Sequence, residues 1–318
     1  MQKLSSIIIN MNRLSAAERI QIIAALVEGN SVRAVSRMTG FSKNTITKLL
    51  VEVGAACAVY QDRMFRDLKL KRIQCDEIWS FIQVKDKNVP SNKKGQFGVG
   101  SVWTWTALDA DTKLVPCWMV GPRDVAAATE FMQDLAGRLA TRVQLTTDGH
   151  KAYLNAVDDA FGSEIDYAML VKVYGEDPQA EKRYSPAECI GCKKEPKIGN
   201  PDKKHISTSY VERQNLTMRM GMRRFTRLTN GFSKKLENHI AAISLHFMYY
   251  NFVRTHQTLR MTPAMAAGVV SSPMEILDIV RIMEAWEVEV AATKKAVRKE
   301  EADWFGESGS TGKRAKRS

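Results

Sequence analysis

The chain has 318 residues, enough to bury at least one full core and to form one to three domains. Hydrophobic residues make up 44% and charged residues 26%, the balance of a soluble globular protein, and no run approaches the ~18 apolar residues of a membrane span. The net charge of +12 favours a polyanionic partner, nucleic acid before a membrane surface.

The cations bracket a mildly acidic centre. Residues 1–72 hold twelve Lys/Arg against five Asp/Glu, and residues 193–235 hold twelve against three. Residues 73–192 hold twelve against seventeen. Five scattered cysteines do not form a disulfide framework. Cys189 and Cys192 make a CxxC, read either as two loop thiols or as half of a zinc set with only His205 nearby to add to it. At the start, only Lys3 precedes Ile7-Ile8-Ile9 and no small-residue cleavage site follows. The expected location is a reducing cytoplasm.

Ser15 and Glu18 form a capping box that opens a first helix, with Ile20, Ile23, Ala24 and Val27 as its apolar stripe. Ser31 caps a second helix, and Ser42 a third that runs to about Val53. Val35, Ser36, Gly40, Ile46 and Leu49 have the spacing of a helix-turn-helix: a small residue where the helices approach and a glycine in the turn. The outward face of the third helix then shows Lys43, Asn44, Thr45, Thr47 and Lys48, all able to reach phosphates or base edges. The competing reading is a plain three-helix bundle with a solvated face. Residues 1–54 are thus expected to be a helix-turn-helix domain and 55–72 a basic helical linker.

From Ile73 the pattern changes to strands: Ile73–Val84, Val99–Leu108 and Lys113–Val120 read as an antiparallel meander. A helix from Asp124 to Ala140, a strand Val143–Thr147, a helix Lys151–Phe161 and a strand Asp166–Tyr174 follow. A loop from Gly175 to Lys204 leads to a helix bearing Glu212. This order describes an α/β fold, a mixed sheet with flanking helices. It puts Asp76 in the first strand and Asp148 at the end of the fourth, which lies beside the first, and lets Glu212 arrive from a helix packed across the sheet. Carboxylates so placed can hold two divalent ions about 4 Å apart for phosphoryl displacement, and Mg²⁺ suits such oxygen ligands.

Each acid also has a plainer reading. Asp148 before Gly149 can cap a turn, and Glu77 competes with Asp76, since alternation sends the two to opposite faces. An acid inside an apolar strand is costly unless paired or metal-bound. Asp109 and Asp111 read as structural turn residues, and His150 as a local hydrogen-bond donor or, preferred, a phosphate contact. Trp79, Trp103, Trp105 and Trp118 read as core. Glu212 can be a surface ion pair, because Arg219 and Arg223, seven and eleven residues on, fall within about 20° of it on a helix.

Three motifs in order, Cys75-Asp76-Glu77-Ile78-Trp79, Thr147-Asp148-Gly149-His150-Lys151-Ala152-Tyr153 and Ser209-Tyr210-Val211-Glu212-Arg213-Gln214-Asn215, resemble the DDE transposases of the insertion-sequence-one family of bacterial mobile elements. The stretch Tyr249–Arg260 with Thr262-Pro263-Ala264 is similar to the helix and loop that close many such domains. The resemblance covers nearly the whole chain and implies an RNase H-like catalytic domain over residues 73–265. It implies that Asp76, Asp148 and Glu212 form a triad binding two Mg²⁺ or Mn²⁺ ions, that Arg219 contacts the substrate and that Asn215 assists. Many members carry an N-terminal zinc motif; no Cys or His precedes Cys57 here, so none is expected.

The implied activity is metal-dependent cleavage and strand transfer at the ends of an insertion sequence. Terminal inverted repeats would be read by the helix-turn-helix, while Arg219, Arg223 and Arg224 hold the strand near the metals. Two chemical events at two ends imply at least a dimer on DNA. A nuclease without strand transfer and a domesticated DNA-binding regulator are the alternatives. His239, His246 and His256 read as polar contacts within the packing of a helix from Leu236 to Phe252. A C-terminal helix over 266–302, amphipathic from 273 to 301 through Ile276, Ile279, Ile282, Met283 and Trp286, reads as a dimer surface, and 303–318 as a basic disordered tail.

Overall fold

A computed structural model of the chain describes residues 13–175, 189–226 and 230–310. The N-terminal start with Lys3 and the last eight residues of the expected tail lie outside them.

Three helices open the described chain: α1 (Ala16–Val27), α2 (Val32–Thr39) and α3 (Lys43–Met64). The capping box is present, with Glu18 Oε2 accepting from the Ser15 N–H at 2.7 Å and Ser15 Oγ accepting from the Glu18 N–H at 3.3 Å. Gly40 ends α2 at φ +78°, a left-handed turn that only glycine enters without strain. Ser36 donates its hydroxyl to the Phe41 carbonyl at 2.7 Å across that turn.

The third helix does not stop near Val53. It runs 22 residues as one piece, so residues 55–64 of the expected linker are its second half. Val53, Gly54, Ala56 and Cys57 are all buried there. Gly54 lies against the backbone of α7 (Leu236–Met248): a Cβ at that position would fall 2.5 Å from the Ala241 Cα. Ser244 of α7 donates to the Gly54 carbonyl at 2.7 Å, and the buried Gln61 amide donates to Ser244 O at 3.2 Å. No proline interrupts residues 53–64, and burial of this stripe carries the helix through Gly54.

The sheet has six strands in the order β3-β2-β1-β4-β5-β6, with β1 Arg72–Ile82, β2 Gly100–Asp109, β3 Cys117–Gly121, β4 Gln144–Asp148, β5 Asp166–Tyr174 and β6 Cys189–Ile198. The meander β1–β2–β3 is antiparallel, β4 pairs in parallel with both β1 and β5, and β6 pairs antiparallel to β5. The fourth strand therefore lies beside the first, as the element order implied. Strand β6 lies within the stretch 175–204 expected to be loop. The third strand begins four residues later than expected, because the Asn251 side chain takes both the Val115 N–H and carbonyl at 3.0 Å.

Helices cover both faces. On one, α4 (Val125–Ala136) and α5 (Ala152–Phe161) set Phe131, Met132, Tyr153 and Val157 against Ile73, Cys75, Trp105 and Leu145. On the other, α6 (Ser209–Gly221) and α7 set Val211, Met218, Ile243 and Phe247 against Ile78, Leu108 and Val115. Helix α7 gives way at Tyr249 to a π-helical turn ending at Val253, where the expectation is α-helix to Phe252. A short α8 (Pro263–Ala266) then leads to the long α9 (Ile276–Ser310).

The apolar stripe of α9 faces inward. Ile279, Val280 and Met283 are buried in the main core, with Ile276, Ile282 and Trp286 packed against it. Arg19 of α1, 5% exposed, pairs with Glu284 and Glu287, and Arg63 of α3 pairs with Glu289 at 2.8 Å. The surface expected to join two chains is covered by the chain's own first and third helices. The same helix continues to Ser310, so 303–310 are helical rather than a disordered tail. No described helix is long and apolar enough to cross a membrane.

Candidate metal centre

Parallel pairing sets Cys75 opposite Thr147, so Asp76 and Asp148 emerge side by side at the next position of each strand. Carboxylate oxygens of Asp76, Glu77 and Asp148 lie within 4.8 Å of one another, the one such group of three or more metal-ligating side chains among the described residues. Asp76 and Glu77 leave β1 toward opposite faces, and Asp148, at a strand end, is reachable by both.

Asp76 lies on the face covered by α6. Its Oδ2 accepts from Asn215 Nδ2 at 2.8 Å and its Oδ1 from the Glu77 N–H at 2.9 Å. Burial raises its pKa to about 6, the charges of Asp148 and Glu212 add to the rise, and the two hydrogen bonds oppose it. Glu77 is pushed up to about 7, first by burial and then by Asp148, with Arg123 opposing. Asp148 Oδ1 accepts from the His150 N–H at 2.9 Å, so the turn-capping reading holds alongside the clustering.

Helix α6 is fixed to β1 at its start. The residue before it, Thr208, makes no side-chain cap. Gln74 Oε1 does that work from the strand, accepting from the N–H groups of Tyr210 at 2.9 Å and Val211 at 3.1 Å. Glu212 follows half a turn later. Its Oε1 accepts from Lys172 Nζ of β5 at 2.7 Å and from the Thr208 hydroxyl. Glu212 therefore stands outside the tight acidic group, although its charge acts on Asp76. Lys172 is thus an ion-pair partner of Glu212 that the helical spacing of the arginines does not suggest. The helix ends at Gly221 with Met222 extended, so Arg223 leaves the helical face altogether.

Arg123, between β3 and α4, bridges two of the acids. Its Nε donates to Glu77 Oε2 at 3.0 Å, its Nη2 lies 3.5 Å from Asp148 Oδ2, and the guanidinium sits 4.9 Å from the centre of the Trp103 ring. Gln74, Arg123 and Lys172 were missed from sequence. Arg123 and Lys172 act on acids from a turn and from another strand, Gln74 holds a helix start from a strand, and no local pattern marks any of them.

The remaining candidates fall into three groups. Lys43, Asn44 and Lys48 are exposed on the first turns of α3, with Thr45 and Thr47 half-buried beside them. Arg219 is half-buried and Arg223 exposed. Arg224 is turned inward: its Nη1 donates to Ser233 Oγ at 2.7 Å, and His239, 0% exposed, bonds Ser233 at 2.8 Å and Ser80 of β1 at 3.1 Å. Burial lowers the Arg224 pKa to about 10, and burial with Arg224 lowers His239 to about 3, so the ring is neutral. This arginine braces the segment after α6.

Asp109, fully buried, accepts from the Arg72 and Thr112 N–H groups, and Asp111 pairs with Arg72, both structural as read. The His150 ring is set among Trp105 and Tyr153, and burial followed by Arg123 lowers its pKa, which disfavours a charged phosphate contact. Of the four tryptophans, Trp105 is fully buried, while Trp79, Trp103 and Trp118 are half-buried.

The sequence matches no protein-family profile, and no curated protein aligns with it. Among solved structures, a piggyBac transposase synaptic complex with hairpin DNA overlaps 84% of this chain and 69% of its own, at TM-score 0.38 and 10% identity. The Mos1 mariner paired end complex with Mn overlaps 47% of this chain and 56% of its own, at TM-score 0.19 and 13% identity. The Mos1 strand transfer complex overlaps 74% and 75%, at 0.22 and 12%. At TM-scores this low, none of these likenesses decides a fold or a function.

Proposed function

We propose that the chain is a DDE transposase with an RNase H-like catalytic domain, cleaving DNA at the ends of an insertion sequence and joining those ends to target DNA. The observation that carries this reading is the pairing of β1 with β4. It seats Asp76 and Asp148 together beneath the helix that brings Glu212 and Asn215.

The donor set fits a hard divalent cation. Every candidate ligand atom is a carboxylate oxygen, and Glu77 Oε1 and Asn215 Oδ1 are buried there without a hydrogen-bond partner. Asp76, Asp148 and Glu212 are the proposed ligands of two Mg²⁺ or Mn²⁺ ions. Such ions, when bound, supply Lewis acidity at an attacking and a leaving oxygen of the phosphodiester. The protein's own contribution is positional. Asn215 orients Asp76, Gln74 anchors the start of α6, and Lys172 and Arg123 offset the charge of Glu212 and of the Glu77–Asp148 pair.

The first three helices are proposed as the helix-turn-helix that reads the terminal repeats, through Lys43, Asn44, Thr45, Thr47 and Lys48. Arg219 and Arg223 are proposed to hold the strand near the acids, in a dimer or larger assembly on DNA. A strand-transfer assay with pre-cleaved element ends tests the reading: joined product supports it, and hydrolysis alone makes the protein a nuclease.

A further inference from the structure

The outermost strand, β6, carries Cys189-Ile190-Gly191-Cys192. In a regular strand, residues three apart point to opposite faces and lie about 10 Å apart, so their thiols do not meet. The ladder is not regular here. Cys192 pairs with Lys172 and Gly191 with Val173, but Tyr174 pairs with Cys189, leaving Ile190 as an extra residue.

That bulge changes both parity and spacing. Lys172 and Tyr174 are two apart on β5, so their Cα atoms belong to one face of the sheet, and their partners Cys192 and Cys189 share it. The separation of the two cysteines follows the same two rises of β5, about 6.6 Å between Cα atoms. Disulfides span roughly 4.4–6.8 Å. Burial first, and then the neighbouring Cys189 thiol, raise the Cys192 pKa, in keeping with that spacing, and Cys189 Sγ donates to the Gly191 carbonyl at 3.4 Å. Both thiols are exposed, whereas Cys57, Cys75 and Cys117 are buried.

We propose that Cys189 and Cys192 are a reversible dithiol–disulfide site on the sheet edge, with a peroxide as the oxidant. One thiolate attacks the peroxide O–O bond, becoming a sulfenic acid as water leaves. The second thiol displaces the sulfenic oxygen as another water and forms the S–S bond. Two hydrogens and two electrons thus pass to one hydrogen peroxide, giving two waters, and a dithiol reductant reverses the change. The inference rests on β6 and stands whether or not the chain is a transposase. Its place gives it reach, because Lys172, across from Cys192, holds Glu212.

The test uses the full-length protein and stoichiometric hydrogen peroxide at about pH 8.5, where thiolate is available. The native protein should show two fast thiols to a chromogenic disulfide reagent, and none after peroxide. The peptide bearing both cysteines should be lighter by two hydrogens, the protein should stay unlinked to other chains on a non-reducing gel, and dithiothreitol should restore both thiols. Cys189→Ser should stop at a sulfenic acid trapped by dimedone. Two free thiols after peroxide, conversion of both to sulfinic acids, or an interchain disulfide in the wild type would each overturn the proposal.

Discussion

Asn215 donates to Asp76 Oδ2 at 2.8 Å, tying the helix that carries Glu212 to the strand that carries the first acid. The bond favours the charged carboxylate, so Asn215→Ala should raise the Asp76 pKa above its value of about 6. Carboxyl-carbon NMR titration of the metal-free protein reads this directly. The pH–rate profile for cleavage should shift to higher pH in the variant, and an unshifted titration would remove Asn215 from the site.

The same burial makes the metal-free fold pH-sensitive in a defined direction. Asp76 and Glu77 have pKa values near 6 and 7 in the folded chain, above their ordinary values of 3.8 and 4.5. The folded state therefore holds protons that the unfolded chain releases. Their stabilising contribution is complete below about pH 4 and is lost as pH rises through 6 and 7. From pH 5 to 8 the metal-free wild type should lose about 1.4 kcal/mol relative to Asp76→Asn, the one pH unit between 5 and the folded Asp76 pKa of about 6. Thermal melts of the two proteins check it, and Mg²⁺ or Mn²⁺ should recover stability at pH 8 in the wild type only.

Asp148→Asn keeps the side-chain shape and an acceptor for the His150 N–H, and removes the charge. Cleavage and strand transfer in Mg²⁺ should fall by at least a hundredfold while binding to end DNA stays near normal. Gel-shift and cleavage assays on one preparation separate the two effects; wild-type cleavage would sink the assignment.

Arg223 and Arg224 are neighbours with different expected phenotypes. Arg223 is exposed, and its change to Ala should weaken DNA binding and lower the salt slope by about one. Arg224 holds Ser233 inside the protein. Its change to Ala should reduce the melting temperature and leave the salt slope of binding unchanged.

Gly54 tests the seam between α3 and α7. Alanine is the better helix former by about 1 kcal/mol. Here its Cβ would meet Ala241 backbone at 2.5 Å, so Gly54→Ala should destabilise by roughly 1–3 kcal/mol, measured by denaturant unfolding.

How far these features could be read in advance depended on how local their causes are. Strand β5 begins and ends where expected, because Asp166–Tyr174 is an apolar run between a glycine turn and a loop. Ser15, Ser31 and Ser42 cap the helices they precede, through bonds within three residues. Strand β6 was invisible: Cys189–Ile198 contains glycine, proline and lysines and buries no residue, so no alternation marks it. At the site, Asp76 and Asp148 were legible from strand order. Lys172 on Glu212 and Gln74 at the start of α6 are contacts 40 and more residues apart, and only the folded chain shows them.

The unbroken α3 has a mechanical meaning. Its first turn bears Lys43 and Asn44, and its second half is clamped to α7 at Gly54, beneath the layer that covers Asp76. At 1.5 Å per residue it is a rod of about 33 Å with no hinge along its length. If its exposed end grips the DNA, the distance from the gripped bases to the acids is set by that rod, as a ruler sets a cut. One residue inserted between Lys48 and Val53 would turn the gripping face by about 100° relative to the acids. The chain would then hold its DNA and cut it out of register.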